Sequence, residues 1–205
     1  MTIATARRMS LEEYLTYDDG TDTRYELEDG VLVEMGVEST INTWIAMYLA
    51  FAFGALGVPP SRVGIKQKIQ VKSKYASARD PDLIIHSEGS ALAIEGLAES
   101  CLKLLEPNPL IVIEVVSPGT EGTKNYKRDY EQKPSEYAAR GIPEMWQIDP
   151  ERSWVKVGKL VDGDYEFETF TGKEAMTSGR SQTIVSPSFP GLKVTAIEVL
   201  KAGRR

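Results

Sequence analysis

The sequence predicts an α/β domain, a central mixed β-sheet flanked by helices, with additional β-hairpins. Three observations carry this expectation. Leu110-Ile111-Val112-Ile113-Glu114-Val115-Val116 is a mostly β-branched apolar run between Pro109 and Ser117-Pro118-Gly119, as in a strand covered on both faces. Asp29-Gly30 and Asp162-Gly163 each separate two short apolar segments, as hairpin turns do. Segments of helical period alternate with these strands. No repeat, low-complexity tract or linker divides the 205 residues, so we read one domain over 1–205 with its core at about 10–200.

Each element follows from local chemistry. Ser10 caps a short helix from Leu11 to Tyr17, with Glu12 and Glu13 in the first turn where the helix dipole favours them. Tyr25-Glu26-Leu27 and Val31-Leu32-Val33 make the first hairpin, and Glu26 lies inside a strand. Ser39 or Thr40 starts a helix running to about Leu56, with Ile41, Ile45, Tyr48, Leu49 and Ala52 at helical spacing. Gly57 ends it and Pro59-Pro60 bars continuation. Val63 to Val71 reads as one strand, Ile65, Gln67, Ile69 and Val71 on one face and Lys66, Lys68, Gln70 and Lys72 on the other. Leu83 to Ile85 is a short buried strand, and the segment 86–109 reads as a loop with one helical turn. Tyr126 to Arg140 is a charged helix interrupted at Pro134 and capped by Gly141. Met145 to Ile148 is a strand, and Trp154 to Leu160 with Tyr165 to Phe170 forms the second hairpin. The stretch 172–191 is polar and turn-rich, and Val194 to Leu200 closes the chain as a strand or short helix.

The formal charge of −6 excludes a surface that is basic all over, so contact with nucleic acid would need a local basic patch and metal ions offsetting an acidic site. A single cysteine, Cys101, excludes an internal disulfide framework and fits a reducing compartment. The first ten residues lack the apolar core of a signal peptide, and the uncharged stretch Trp44 to Val58 is too short to cross a bilayer comfortably. A cytoplasmic protein with no membrane partner is expected.

A carboxylate inside a buried strand is costly unless compensated, and a metal ion or a catalytic partner is the usual compensation. Glu114 therefore calls for a reason. Asp82 stands just ahead of an apolar strand, and Lys133 follows downstream. If the two strands pair, both carboxylates reach one ion together with a backbone carbonyl near Val115, and such oxygen ligands suit Mg²⁺ or Mn²⁺. A nearby lysine would steer a metal-activated water and stabilise phosphate charge. Plainer readings stand beside these: Asp82 as a turn or cap residue, Glu114 as a salt-bridged strand residue, Lys133 as a solvated helix lysine. The lysines of 66–72 are either a phosphate track or the wet face of an edge strand. His86 is the only histidine, which removes a poly-histidine metal site and leaves little room for a Ser-His-Asp or Cys-His triad. No glycine-rich phosphate loop appears.

The residues Tyr25-Glu26-Leu27-x-Asp29-Gly30, Arg79-x-Pro81-Asp82, Ile113-Glu114-Val115-Val116-Ser117-Pro118-x-Thr120 and Asp129-x-x-x-Lys133-x-x-x-Tyr137-x-x-x-Gly141-Ile142-x-Glu144-x-Trp146-x-x-Asp149-Pro150 resemble the Uma2 family. That family, also called DUF820, belongs to the PD-(D/E)xK restriction-endonuclease-like superfamily. The resemblance implies a restriction-endonuclease-like core with the site at one sheet edge. It implies Asp82 and Glu114 as metal ligands, Glu26 as an additional acid and Lys133 as the motif lysine, moved onto the following helix because Val116 fills its ordinary position. Asp129 and Tyr137 share the helix face of Lys133 and are expected to orient it. Lys66, Lys68, Lys72 and Arg79 are the expected nucleic-acid contacts. The chain departs from the family pattern at Thr40-Ile41-Asn42, where a histidine is frequent, at Pro134 and at Met145. The expected activity is Mg²⁺- or Mn²⁺-dependent cleavage of DNA, with a homodimer as the way to cut both strands. The rivals are a catalytically silent nucleic-acid-binding or assembly module and a metal-dependent hydrolase of a small phosphorylated substrate.

Overall fold

The computed structural model describes residues 7–36, 39–117, 119–172 and 182–203. Among them the architecture is mixed α/β with helices flanking two sheets, where the sequence reading expected one central sheet. The first sheet holds β1 (Tyr25–Glu28), β2 (Val31–Glu34), β4 (Lys68–Val71), β5 (Ser77–Arg79) and β7 (Cys101–Leu102) in the order β2-β1-β5-β4-β7. The second holds β3 (Val63–Gly64), β6 (Leu83–Ile85), β8 (Ile111–Val115), β9 (Glu144–Asp149), β10 (Trp154–Val161) and β11 (Asp164–Thr171) in the order β11-β10-β9-β8-β6-β3. Both are mixed: β4 pairs parallel with β7 and β8 parallel with β9, every other pairing being antiparallel.

The chain passes between the sheets five times, and two of the shortest passages lie on either side of β4 and β5. The run predicted as one strand over 63–71 is broken at 65–67, where Lys66 has φ +57, so β3 joins one sheet and β4 the other. The return is Asp80-Pro81-Asp82, from β5 straight into β6. Proline has no N–H to give a ladder, which suits a strand-to-strand corner.

The helices are α1 (Leu11–Leu15), α2 (Thr40–Ala55), α3 (Glu88–Ile94), α4 (Lys124–Lys127), α5 (Lys133–Arg140) and α6 (Ala196–Ala202). Ser10 and Glu13 form a capping box on α1, and Thr195 and Glu198 another on α6. The closing element is thus a helix, one of the two forms expected. The stretch 86–109 holds more structure than one turn, namely α3 and β7. Of the turn-rich stretch 172–191, residues 173–181 lie outside the described residues.

One face of the second sheet buries Leu83, Ile111, Ile113 and Trp146 against Ile45, Leu49 and Phe53 of α2. Such side chains contribute about 1.5–3 kcal/mol each on full burial. The opposite face sets Ile84, Val112 and Met145 against Tyr137, Ala138 and Ile142. Glu114 alternates with Ile113 and Val115, so it shares the Val112 face and points toward α5.

Candidate active site

Register places the first two acids. Leu83 pairs with Ile113 and Ile84 with Val112; one step further along this antiparallel ladder, Asp82 stands opposite Glu114. Asp82 Oδ2 accepts the Val115 N–H at 2.7 Å, which fixes its carboxylate at the mouth of β8. Glu26 comes from β1 of the other sheet: its Oε1 accepts the Asp80 N–H at 3.2 Å and its Oε2 a proton of Arg79 Nη1 at 3.0 Å. The two sheets therefore meet at the site.

The lysine reaches it through an irregular helix. Between α4 and α5 the residues Arg128–Gln132 form a π-helical turn, directly before Pro134 at the start of α5. Proline removes an N–H and crowds the carbonyl four residues back, and a widened turn accommodates both. Pro134 thus starts the second half of the helix and leaves Lys133 facing inward. Lys133 Nζ lies 2.8 Å from Glu114 Oε2, 3.3 Å from Glu26 Oε1 and 4.0 Å from Asp129 Oδ1, and the side chain is buried. The solvated-lysine reading does not match this position. Tyr137, one turn on, donates to Glu114 Oε1 at 2.6 Å, so it orients that carboxylate, where the sequence reading expected it to orient Lys133. Asp129 is tied chiefly to Arg128 at 2.8 Å and to the Ser117 N–H at 3.3 Å.

Glu26, Asp82, Glu114, Asp129 and Lys133 line a cavity of about 460 Å³ together with Arg24, Ser39, Asn42, Lys66, Asp80 and Arg128. Among its described lining residues are six carboxylates (Glu26, Glu34, Asp80, Asp82, Glu114, Asp129) and four cations (Arg24, Lys66, Arg128, Lys133). Counted as fully ionised they leave a formal excess of two negative charges, which one divalent cation would offset. Burial lifts the Glu114 carboxyl to about 7; Lys133 opposes the rise, and the charges of Asp82 and Glu26 add to it. Burial would raise Glu26 too, but Lys133, Arg79 and the Asp80 N–H outweigh it and hold that carboxyl at about 2. Burial acts to lower the Lys133 ammonium, yet Glu114, Glu26 and Asp129 push it above the ordinary lysine value. Lys133 is accordingly a charged donor and not a base.

Sequence reasoning missed two residues here. Asp80 is buried, Arg24 holds its Oδ2, and its Oδ1 has no hydrogen-bond partner among the described residues. Burial pushes its carboxyl above the ordinary aspartate value. A second acid two positions before Asp82 was a visible signal. Asn42 donates from Nδ2 to the Val115 carbonyl at 3.0 Å, and nothing in the local sequence marks an asparagine in the first turn of a helix for that contact.

Arg79 corrects an expectation. It is 1% exposed, with its guanidinium on Glu26, Glu28 and Glu136, so it is interior to the fold and not a nucleic-acid contact. The lysines do not form one row either, because the chain changes sheets between them. Lys66 bonds Asp82 Oδ1 at 2.9 Å in the cavity, Lys68 lies 3.2 Å from Glu99, and Lys72 is exposed just past β4.

The donors fit a hard divalent ion. They are all oxygens: the Asp82 and Glu114 carboxylates and the Val115 carbonyl, which accepts one hydrogen bond and has a second lone pair. Among the described residues no three of His, Cys, Asp and Glu gather as a ready-made metal cage. No helix among the described residues is long and apolar enough to cross a membrane.

Comparison with known proteins adds the family. The model of the family Uma2, described as "Putative restriction endonuclease", matches residues 11–198. No curated protein matches the sequence. Among solved structures, a "putative nuclease belonging to DUF820" from Anabaena variabilis ATCC 29413 superposes with a TM-score of 0.66 at 18% identity, covering 96% of this chain and 99% of that one. At that identity the likeness speaks for the fold alone.

Proposed function

Since the chain belongs to the Uma2 family, we propose that it is a metal-dependent endonuclease hydrolysing DNA phosphodiester bonds. The observation that carries the proposal is the meeting of Glu26, Asp82, Glu114 and Lys133, drawn from two sheets and a helix, at one cavity with surplus negative charge. Asp82, Glu114 and the Val115 carbonyl would hold Mg²⁺ or Mn²⁺. Such an ion, when bound, polarises a phosphate and lowers the pKa of a coordinated water. Lys133, charged and held between Glu114 and Glu26, presents its ammonium to the attacking water and to the negative charge developing on the phosphate. Glu26 keeps that ammonium protonated and placed. Tyr137 fixes the rotamer of Glu114, and the Val115 N–H fixes that of Asp82.

Nicking of supercoiled plasmid in Mg²⁺ or Mn²⁺ tests the proposal, with Asp82→Ala and Lys133→Ala purified identically. Cleavage by the wild type and loss in both variants is the expected outcome. Equal cleavage by all three would overturn the residue assignment. If nothing cuts, and calorimetry finds no Mn²⁺ binding that depends on Asp82, the silent module is the correct reading.

A further inference from the structure

Four cations stand among the described residues that line the cavity. Lys133 lies on Glu114 and Glu26, Lys66 on Asp82, and Arg24, with a side chain 41% exposed, on Asp80. Arg128 is bound differently. Its Nε donates to Asp129 Oδ1 at 2.8 Å and its Nη2 to Asp129 Oδ2 at 3.2 Å, so the carboxylate grips one edge of the guanidinium. Residues adjacent on an α-helix point about 100° apart and do not face each other. Arg128 and Asp129 meet all the same, at the start of the π-helical turn.

Asp129 is itself held at two points. Its Oδ2 accepts the Ser117 N–H at 3.3 Å, just past β8, and its backbone carbonyl accepts Nε2 of the buried Gln147 of β9 at 2.7 Å. The guanidinium is therefore fixed from the second sheet. It has five N–H donors, of which Asp129 takes two. Among the described residues Arg128 makes no other hydrogen bond, which leaves both protons of Nη1 and one of Nη2 on the edge that forks about a phosphate. Burial acts against the charge, but the bond to Asp129 and the charge of that group outweigh it. Glu26 and Glu114 add to the effect, so Arg128 stays cationic in the cavity wall.

We infer that Arg128 is the residue that holds the substrate phosphate in this cavity, aimed by Asp129. The inference rests on the phosphodiesterase reading of the same site and adds a substrate-binding residue to it. Lys133 and Lys66 are engaged by Glu26, Asp82 and Glu114, the acids assigned to the chemistry. Arg128 is paired with an acid outside that set, so its open edge takes two phosphate oxygens without disturbing either lysine. Asp129 offsets part of its charge, so recognition lies in the fork geometry more than in a bare cation. Lysine in its place keeps the charge and loses the fork. An ion pair with a merely structural role would tolerate that exchange.

Fluorescence anisotropy of a labelled DNA duplex in Ca²⁺ tests it, with wild type, Arg128→Lys and Arg128→Gln. Arg128→Lys should weaken binding about 10-fold with its salt dependence unchanged, because the charge stays and the bidentate contact goes. Arg128→Gln should weaken it about 10–100-fold and lower the salt slope by about 1. Wild-type affinity in Arg128→Lys overturns the inference. A second readout uses the wild type and is immune to a folding defect: duplex DNA should protect Arg128 from phenylglyoxal, followed by mass spectrometry. Equal labelling with and without DNA also overturns the inference. If the wild type binds no duplex in any divalent cation, the endonuclease reading fails by itself, and titration with inorganic phosphate in Mg²⁺ decides the role of Arg128. Phosphate binding that Arg128→Lys weakens upholds that role, and absent or equal binding overturns it.

Discussion

Arg79→Met tests whether the interior charge network is what ties the first sheet to α5. The guanidinium makes four bonds: Nη1 to Glu26 at 3.0 Å and to Glu28 at 2.7 Å, Nε and Nη2 to Glu136 at 2.7 and 2.8 Å. Methionine keeps most of the stem volume and removes the charge. Glu28 and Glu136 have side chains 30% and 19% exposed and can rehydrate, whereas Glu26 at 3% cannot. Taking one partner from a buried ion pair costs about 3–5 kcal/mol, and Lys133 beside Glu26 keeps the loss at the low end, about 3 kcal/mol. For a chain of this length that corresponds to a fall of about 6–12 °C in thermal midpoint. Circular dichroism melting, with urea unfolding to check that the denaturant slope is unchanged, measures it. A midpoint within about 2 °C of wild type would refute the reasoning. A fully stable variant that lost only DNA affinity would restore Arg79 as a surface contact.

Tyr137→Phe removes the hydroxyl on Glu114 Oε1 and leaves a buried acceptor short of a donor, so it should cost about 1–3 kcal/mol. It should also weaken Mn²⁺ binding or plasmid nicking by about 10–100-fold, and unchanged values would show that Glu114 needs no such support. His86 gives a pH dependence away from the site. Its ring lies between Ser90 Oγ at 3.0 Å and Gln67 Oε1 at 2.6 Å, and burial, with Arg62 adding, lowers its pKa from 6.5 to about 4. The unfolded chain takes up this proton near 6.5 and the folded chain only near 4, so this contribution to stability is complete above the first value and lost as pH falls toward the second. The loss is roughly 3 kcal/mol, read as a steeper acid limb of the unfolding free energy than His86→Gln shows. Matching limbs would contradict the assignment.

Much of this protein was legible in its sequence because the governing interactions are local. The Ser10 cap, the Asp29-Gly30 and Asp162-Gly163 turns, the β-branched run of β8 and the stop at Gly141 are each set by backbone conformation or hydrophobic period within a few residues. A carboxylate in the middle of that run marked Glu114 before any contact was known. Pairing between distant segments was not legible. Val63 to Val71 alternates as one strand would, yet the chain changes sheets at 65–67, and period alone carries no sign of it. Arg79 reads as a cation next to a motif, and only three carboxylates arriving from β1 and α5 make it interior. The π turn before Pro134 decides that Lys133 faces Glu114, and register decides that Asp82 stands across from it. Sequence fixes which groups are costly to bury; the long-range packing decides which of them are buried together.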